Sequence, residues 1–332
     1  MRVLITGGAG FLGRKLTRAL LDRGSLDGRT IERIDVFDAV PVETADPRVR
    51  ATTGDVGDPA VAAGLVTPET GFVFHLAAVV SAGAEADFDL GMRVNLDGTR
   101  ALLEAARAAG GQAAGGQAAG GRPRFLFASS VAVFGGPMPD VIADGTITTP
   151  QSSYGTQKAI GELLVADYGR KGFVDGRTLR LPTVVVRPGR PNKAASTFAS
   201  SIIREPLNGE EAVCPVAPEQ PMWLISPRRV IEGLLHAAEV PAADWGIGAA
   251  VSLPGITCTV GGMVAAMTAV AGPAPAARIR WQPDPAIRAI VASWPARFAP
   301  ARGLALGFRA DESMEAIVRA FIEDEMGGGP AG

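Results

Sequence analysis

Tyr154-Gly-Thr-Gln-Lys158 sets a phenol and a primary amine four residues apart, which on a helix puts both on one face. A phenol ionises near pH 10, so serving as a base at neutral pH requires help worth roughly 4 kcal/mol. A lysine ammonium on the same face supplies it by favouring the phenolate. Upstream, Phe125-Leu-Phe-Ala-Ser129-Ser130 ends an apolar, strand-like run with two hydroxyls. A serine there can hold an alcohol oxygen while the phenolate takes its proton. Taken singly, Tyr154 and Lys158 also read as a solvated i, i+4 pair, and the serines as a turn cap.

Composition removes most other chemistry. The chain of 332 residues has only two His (His75, His236), two Cys (Cys214, Cys258) and two Tyr. Neither C-x-x-C nor H-x-x-x-H occurs, and zinc sites need three or four such ligands, so no metal is expected. Of the tyrosines, Tyr168 has Gly172 rather than a lysine four residues on, which leaves Tyr154 as the candidate base. The 32 basic and 34 acidic residues are interleaved, giving a net charge of −2. No basic stripe invites nucleic acid or an anionic membrane. No apolar run reaches the roughly 18 residues of a membrane span, and the N-terminus lacks a signal-peptide pattern. A cytoplasmic protein is expected.

The elements that must hold these groups follow from periodicity. Strands are predicted at 2–6, 31–37, 49–52, 72–76 and 125–128. Helical stretches lie between them, one ending at the C-cap Gly24 and one over 94–108. Alternating strand and helix with near-continuous apolar strands predicts an α/β, Rossmann-type doubly wound parallel sheet. Residues 1–185 are expected to form the dinucleotide-binding domain, with parts of 226–270 packing back on it. The Pro-rich second half predicts a smaller C-terminal substrate lobe over 186–326. Residues 311–326 read as a terminal amphipathic helix, with Asp311 and Glu312 at its electropositive end. The repeat GGQAAGGQAAGG at 110–121 reads as a flexible surface insertion without a role.

Gly7, Gly10 and Gly13 follow the first strand and open a helix, with Phe11 and Leu12 between the last two. That G-x-x-G-x-x-G spacing suits a tight turn, close approach of backbone to pyrophosphate, and helix–sheet contact. Phosphate would sit on the free N–H groups of the helix N-terminus. At the end of the second strand, Asp38 is placed to bind the adenosine ribose. Its charge opposes a 2′-phosphate, which predicts NAD over NADP. Asp35 reads as a strand position, and a turn-forming role for Asp38 stays open.

On TGGAGFLG at 6–13, Asp55-Val56, His75-Leu-Ala-Ala78, Asn95, SSVAVFG at 129–135 and YGTQK at 154–158, the chain resembles the extended short-chain dehydrogenases/reductases. That group includes the nucleotide-sugar epimerases and dehydratases. The resemblance implies that Asp55 and Val56 flank adenine, and that Leu76, Ala77 and Ala78 line the cofactor path. It further implies that Asn95 supports a water chain to Lys158, which also bonds the nicotinamide ribose. Ser130 rather than Ser129 aligns with the catalytic hydroxyl, and Pro182, Thr183 and Val184 fall beside the nicotinamide. Phe134 departs from the usual Tyr of V-Y-G. Asn95 also reads as a helix cap, and His75 as a satisfied core residue.

Motifs of the second half, VRPGRPNK at 186–193, Arg204 to Gly209, Ser226-Pro-Arg228, Ser293-Trp-Pro295 and Leu306-Gly-Phe308, resemble the D-erythronate dehydrogenase branch. That branch implies oxidation of the C2 hydroxyl of a four-carbon sugar acid with NAD. A small polyhydroxy carboxylate needs a cation and hydroxyl partners. Arg187, Arg190 and Arg228 are candidates for the carboxylate, Arg187 being preferred, with Ser81 and Asn192 for hydroxyls. Each arginine also reads as a surface charge. An epimerase or dehydratase that retains NAD is the first alternative, and a non-catalytic NAD-sensing regulator the second. The resemblance also implies a homodimer paired through the helix carrying Tyr154.

Overall fold

A computed structural model describes residues 1–111, 122–189, 196–248 and 250–327. The chain divides into two compact units. The first takes Met1–Val133, Ser152–Arg180 and Ile231–Val251, and the second takes Phe134–Gln151, Leu181–Val230 and the chain from Ser252 onward.

In the first unit, apolar and β-branched runs form β1 (Arg2–Thr6), β2 (Arg33–Asp38), β3 (Val49–Thr53), β4 (Thr70–His75), β5 (Arg124–Ser130) and β6 (Asp175–Leu181). Residues 251–252 add a short outer strand, so the seven-stranded sheet runs β3-β2-β1-β4-β5-β6 and then 251–252. The β1·β2, β2·β3, β1·β4 and β4·β5 pairings are all parallel. This is the doubly wound order, with the direction of winding reversing beside β1. Ligands bind such sheets at the carboxyl ends of the strands, where Gly7, Asp38, Leu76 and Ser130 lie.

Between strands run α1 (Phe11–Arg23), α2 (Pro59–Ala63), α3 (Ser81–Ala86), α4 (Gly98–Gly111) and α5 (Ser153–Arg170). Gly24 ends α1 in the left-handed region at φ 65°, as its sequence predicts. The expected helix 94–108 begins differently: residues Met92–Asp97 form a π-helical turn that runs straight into α4. Such turns admit an extra residue per turn and concentrate at functional sites. Leu4, Phe37, Val73, Leu102, Leu103, Phe125 and Val165 belong to the core of this unit. The repeat at 110–121 lies, from residue 112 on, outside the described residues.

The second unit has its own core, drawn from α6 (Thr197–Leu207), α7 (Val260–Ala271) and α8 (Met314–Glu325). The terminal amphipathic stripe is core packing, with Met314, Ile317, Val318, Phe321 and Ile322 all buried. Its N-terminus corrects one expectation. Ser313 caps the helix, while Asp311 turns inward and accepts from the Ser226 N–H (2.8 Å) and hydroxyl (2.6 Å). Two neutral donors solvate a buried carboxylate better than a helix end it does not reach. No helix among the described residues is long and apolar enough to cross a membrane.

Candidate active site

α5 carries the phenol and the amine. Ser152 caps it, accepting from the Gly155 N–H at 3.1 Å, so Tyr154 sits in the first turn and Lys158 one turn on. Lys158 is buried, and its Nζ donates to the Ala128 carbonyl (2.7 Å) while lying 5.7 Å from the Tyr154 ring centroid. Phe127 lies under the same ammonium, at 4.5 Å. Burial brings the Lys158 pKa down to about 7, the Glu162 carboxylate pulling the other way.

Strand alternation separates the two serines. Ser129 is buried and donates to Glu162 Oε1 (2.5 Å), which Arg180 of β6 grips through Nε and Nη2 (2.9 and 2.6 Å). Ser130 is half-buried, and its Oγ accepts from the Ala132 N–H (3.1 Å), leaving its own hydrogen to be donated elsewhere. Lys158 and Glu162 thus fasten the end of β5 at consecutive residues. Lys158 reaches from α5 to the end of β5, with the Tyr154 ring near the same ammonium and Ser130 two residues beyond Ala128. Sequence reading missed Glu162 and Arg180, although Lys158–Glu162 is itself an i, i+4 spacing. Tyr168 donates its hydroxyl to Glu104, and burial raises its pKa to about 12, so it is no base.

The glycine loop is built for backbone approach. Gly7 has φ 75°, and a Cβ there would meet the Ala77 nitrogen at 2.7 Å. A Cβ on Gly13 would lie 2.3 Å from the Gly7 carbonyl, and one on Gly8 2.0 Å from Val36 Cγ1. The Gly8 constraint lies outside the G-x-x-G-x-x-G pattern. Gly10 caps α1 without a side chain, so no side-chain oxygen takes up the first N–H groups. Phe11 and Leu12 form the first turn. Asp38 accepts from the Ala9 N–H (2.9 Å) and the Val40 N–H (3.2 Å), which pins its carboxylate beside the loop. Asp35 pairs with Arg33, as its strand position implies. Open N–H groups, absent Cβ atoms and a fixed carboxylate fit a dinucleotide whose ribose keeps its 2′-hydroxyl.

Beyond β3, Asp55 accepts from the Gly57 N–H (2.9 Å) and pairs with Arg93 of the π-turn, while Val56 packs into the core. Leu76, Ala77 and Ala78 follow β4 half-buried. Asn95, expected to support a water chain, uses its side chain on protein partners. Its Nδ2 donates to the Val79 carbonyl (2.9 Å) and Gln157 Oε1 (2.7 Å), and its Oδ1 accepts from the Val79 N–H (2.7 Å). Both amide hydrogens are spent on protein, so Asn95 clamps the segment after β4 to the residue preceding Lys158. His75 is the satisfied core residue that its second reading allowed. The Thr99 hydroxyl donates to the Asn95 carbonyl (2.6 Å), so Thr99 accepts from His75 Nε2–H (2.9 Å) and Thr6 donates to Nδ1 (2.7 Å). Burial, and then the Lys158 charge, hold its pKa down to about 3, so the ring is neutral.

Ser81 opens α3 in this unit. Pro182 and Val184 belong to the second unit, Val184 on a two-residue strand with Thr183. There the Arg187 guanidinium donates to the Ser196 carbonyl and hydroxyl (3.2 Å each). Arg228 is committed to Glu323 and Asp324, which raise its pKa and remove it as a grip for a substrate carboxylate. Arg190 and Asn192 lie outside the described residues. Phe134 packs edge-on against Phe298, so the departure at that position serves packing.

The profile of the NAD dependent epimerase/dehydratase family matches residues 3–244. The chain belongs to this family. NAD is its cofactor. The D-erythronate dehydrogenase of Cupriavidus necator is 55% identical over 329 residues, 98% of each chain. That of Haemophilus influenzae is 45% identical over 98% of this chain and all of its own. A crystal structure from Agrobacterium tumefaciens, described as a nucleoside-diphosphate-sugar epimerase, superposes with a TM-score of 0.93 at 45% identity, covering 99% of this chain and 95% of that one. Within the family, the chain is an NAD-dependent dehydrogenase acting on a CH–OH group.

Proposed function

We propose that the protein oxidises D-erythronate at C2 to the 2-keto acid. The observation that carries this reading is the 55% identity, end to end, with an enzyme of that name. Bound NAD supplies the hydride acceptor. Ser130 donates to the substrate's C2 oxygen and orients the hydroxyl. Tyr154, as phenolate, accepts the hydroxyl proton while the C2 hydrogen departs, and later passes that proton to solvent. The Lys158 ammonium keeps the phenolate accessible near neutral pH and reaches the nicotinamide ribose. Gly7, Gly10, Phe11, Leu12 and Gly13 hold the pyrophosphate, Asp38 the adenosine ribose, and Asp55 with Val56 the adenine edge. Leu76, Ala77, Ala78, Pro182 and Val184 line the cofactor, and Asn95 steadies that wall. Ser81, Arg187 and Asn192 serve the sugar acid.

Residues 1–185, with parts of 226–270 packing back on them, act as the NAD domain and 186–326 mainly as the substrate lobe of a cytoplasmic homodimer paired through α5, on which Leu163 stands 70% exposed. A panel of C4 to C6 aldonates with NAD and NADP, followed by reduced cofactor, tests the reading. D-erythronate with NAD is expected to give the highest kcat/KM. The description of the Agrobacterium relative favours a second reading, an epimerase that retains its NAD. Tightly held NAD in the purified protein, with no NADH released from any hydroxy acid, would decide for that.

A further inference from the structure

The Arg93–Asp55 pair is half-exposed on both sides, and exposed pairs add little to stability. The surroundings are nevertheless built around it. Asp55 stands just past β3, and the preceding Gly54 N–H donates to the Asp38 carbonyl (3.0 Å), which ties it to the ribose-binding strand end. Gly57 is closed over the pair. A Cβ there would fall 2.7 Å from Arg93 Cγ and 2.9 Å from the Arg93 carbonyl, so the π-turn and the loop after β3 meet at backbone distance. Arg93 itself is held by that turn, which Asn95, two residues on, fastens to Val79 and Gln157. The carboxylate is therefore held from two sides, by the Gly57 N–H on Oδ1 and the guanidinium on Oδ2. Each oxygen keeps a further lone pair, so a carboxylate fixed this way can still accept from an exocyclic amine.

We propose that Arg93 is a positioning residue for cofactor recognition: it holds the Asp55 carboxylate where it accepts a hydrogen bond from the adenine 6-amino group. This rests on the reading of Asp55 as an adenine contact. Without Arg93 the carboxylate is held only at Oδ1, by the Gly57 N–H, and Oδ2 is free to swing toward solvent. The enzyme then loses its preference for an amine over a carbonyl at the 6-position, while the pyrophosphate and nicotinamide ends are unaffected.

Calorimetric titration of the intact protein with NAD, with nicotinamide hypoxanthine dinucleotide (a carbonyl replaces the amine) and with nicotinamide mononucleotide (no adenosine) tests this. For the unsubstituted protein we expect NAD to bind at least ~10-fold tighter than the hypoxanthine analogue, the size of one charge-assisted hydrogen bond. Arg93→Met and Arg93→Gln should reduce that ratio to below ~3-fold and leave the mononucleotide affinity unchanged. No discrimination by the unsubstituted protein would overturn the Asp55 reading and the proposal with it. Discrimination that survives both substitutions would overturn the role of Arg93 alone. Equal weakening of all three ligands, with a lowered melting temperature, would make Arg93 merely structural and also refute the proposal.

Discussion

Replacing Lys158 by methionine separates the electrical role of this residue from its packing. The ammonium lies 5.7 Å from the centre of the ring over which a Tyr154 phenolate spreads its charge. At an effective dielectric of about 20, that separation is worth about 3 kcal/mol, or about a 100-fold change in phenol ionisation. In Lys158→Met, kcat/KM at pH 7 should therefore fall about 100-fold. The deficit should shrink as pH rises toward the phenol's ordinary value near 10, where ionisation needs no help. Burial sets the Lys158 pKa at about 7, so its help is strongest below neutrality; the two groups titrate as a pair, with apparent values belonging to both. The assay is the ratio of variant to unsubstituted kcat/KM from pH 6 to 10 at saturating NAD, which removes any loss of ribose binding. A ratio that stays flat with pH, or a loss below 3-fold at pH 7, would refute this account of the base.

The same burial has a stability consequence. The unfolded lysine holds its proton to about 10.5 while the folded one sheds it near 7, so the unfolded state binds more protons between those values. Stability should rise with pH across that window, by at most about 5 kcal/mol, and urea titrations at pH 7 and 9 should show Lys158→Met losing the increment. Ser130→Ala is expected to cut kcat by about 100-fold with little change in melting temperature. Ser129→Ala should keep kcat but cost about 1–3 kcal/mol in denaturant titrations, because Glu162 loses a buried donor. Asp38→Ser should narrow the NAD-over-NADP preference in kcat/KM at least ~10-fold by removing a like charge from the 2′-phosphate, whereas Asp35→Ser, on a residue spent on Arg33, should not.

What the sequence disclosed was local. The glycine loop, the Y-x-x-x-K face and the apolar strands each fit within one turn or one strand, and the order of elements carries the doubly wound sheet. The π-turn escaped because a residue pattern does not distinguish i→i+5 from i→i+4 hydrogen bonding over a single turn. The same holds for the site. Ser129 and Ser130 are chemically identical neighbours, and they part only because the register of β5 against α5 hands one to Glu162 and leaves the other at the edge.

By itself, then, the sequence determined the glycine loop, the one tyrosine followed four residues later by a lysine, and the family. The tertiary structure alone decided which serine is presented. It tied the Asn95 side chain to Val79 and Gln157, paired Arg228 with Glu323 and Asp324, and set Asp55 against Arg93. These pairings join residues 33, 62, 95 and 38 positions apart. Ser129 is the strand residue among them, and because strand side chains alternate faces a slip of one residue in β5 would exchange it for Ser130; the other pairings join helices, the π-turn and a loop. Only tertiary packing brings residues this far apart in the chain together, and no local spacing encodes it.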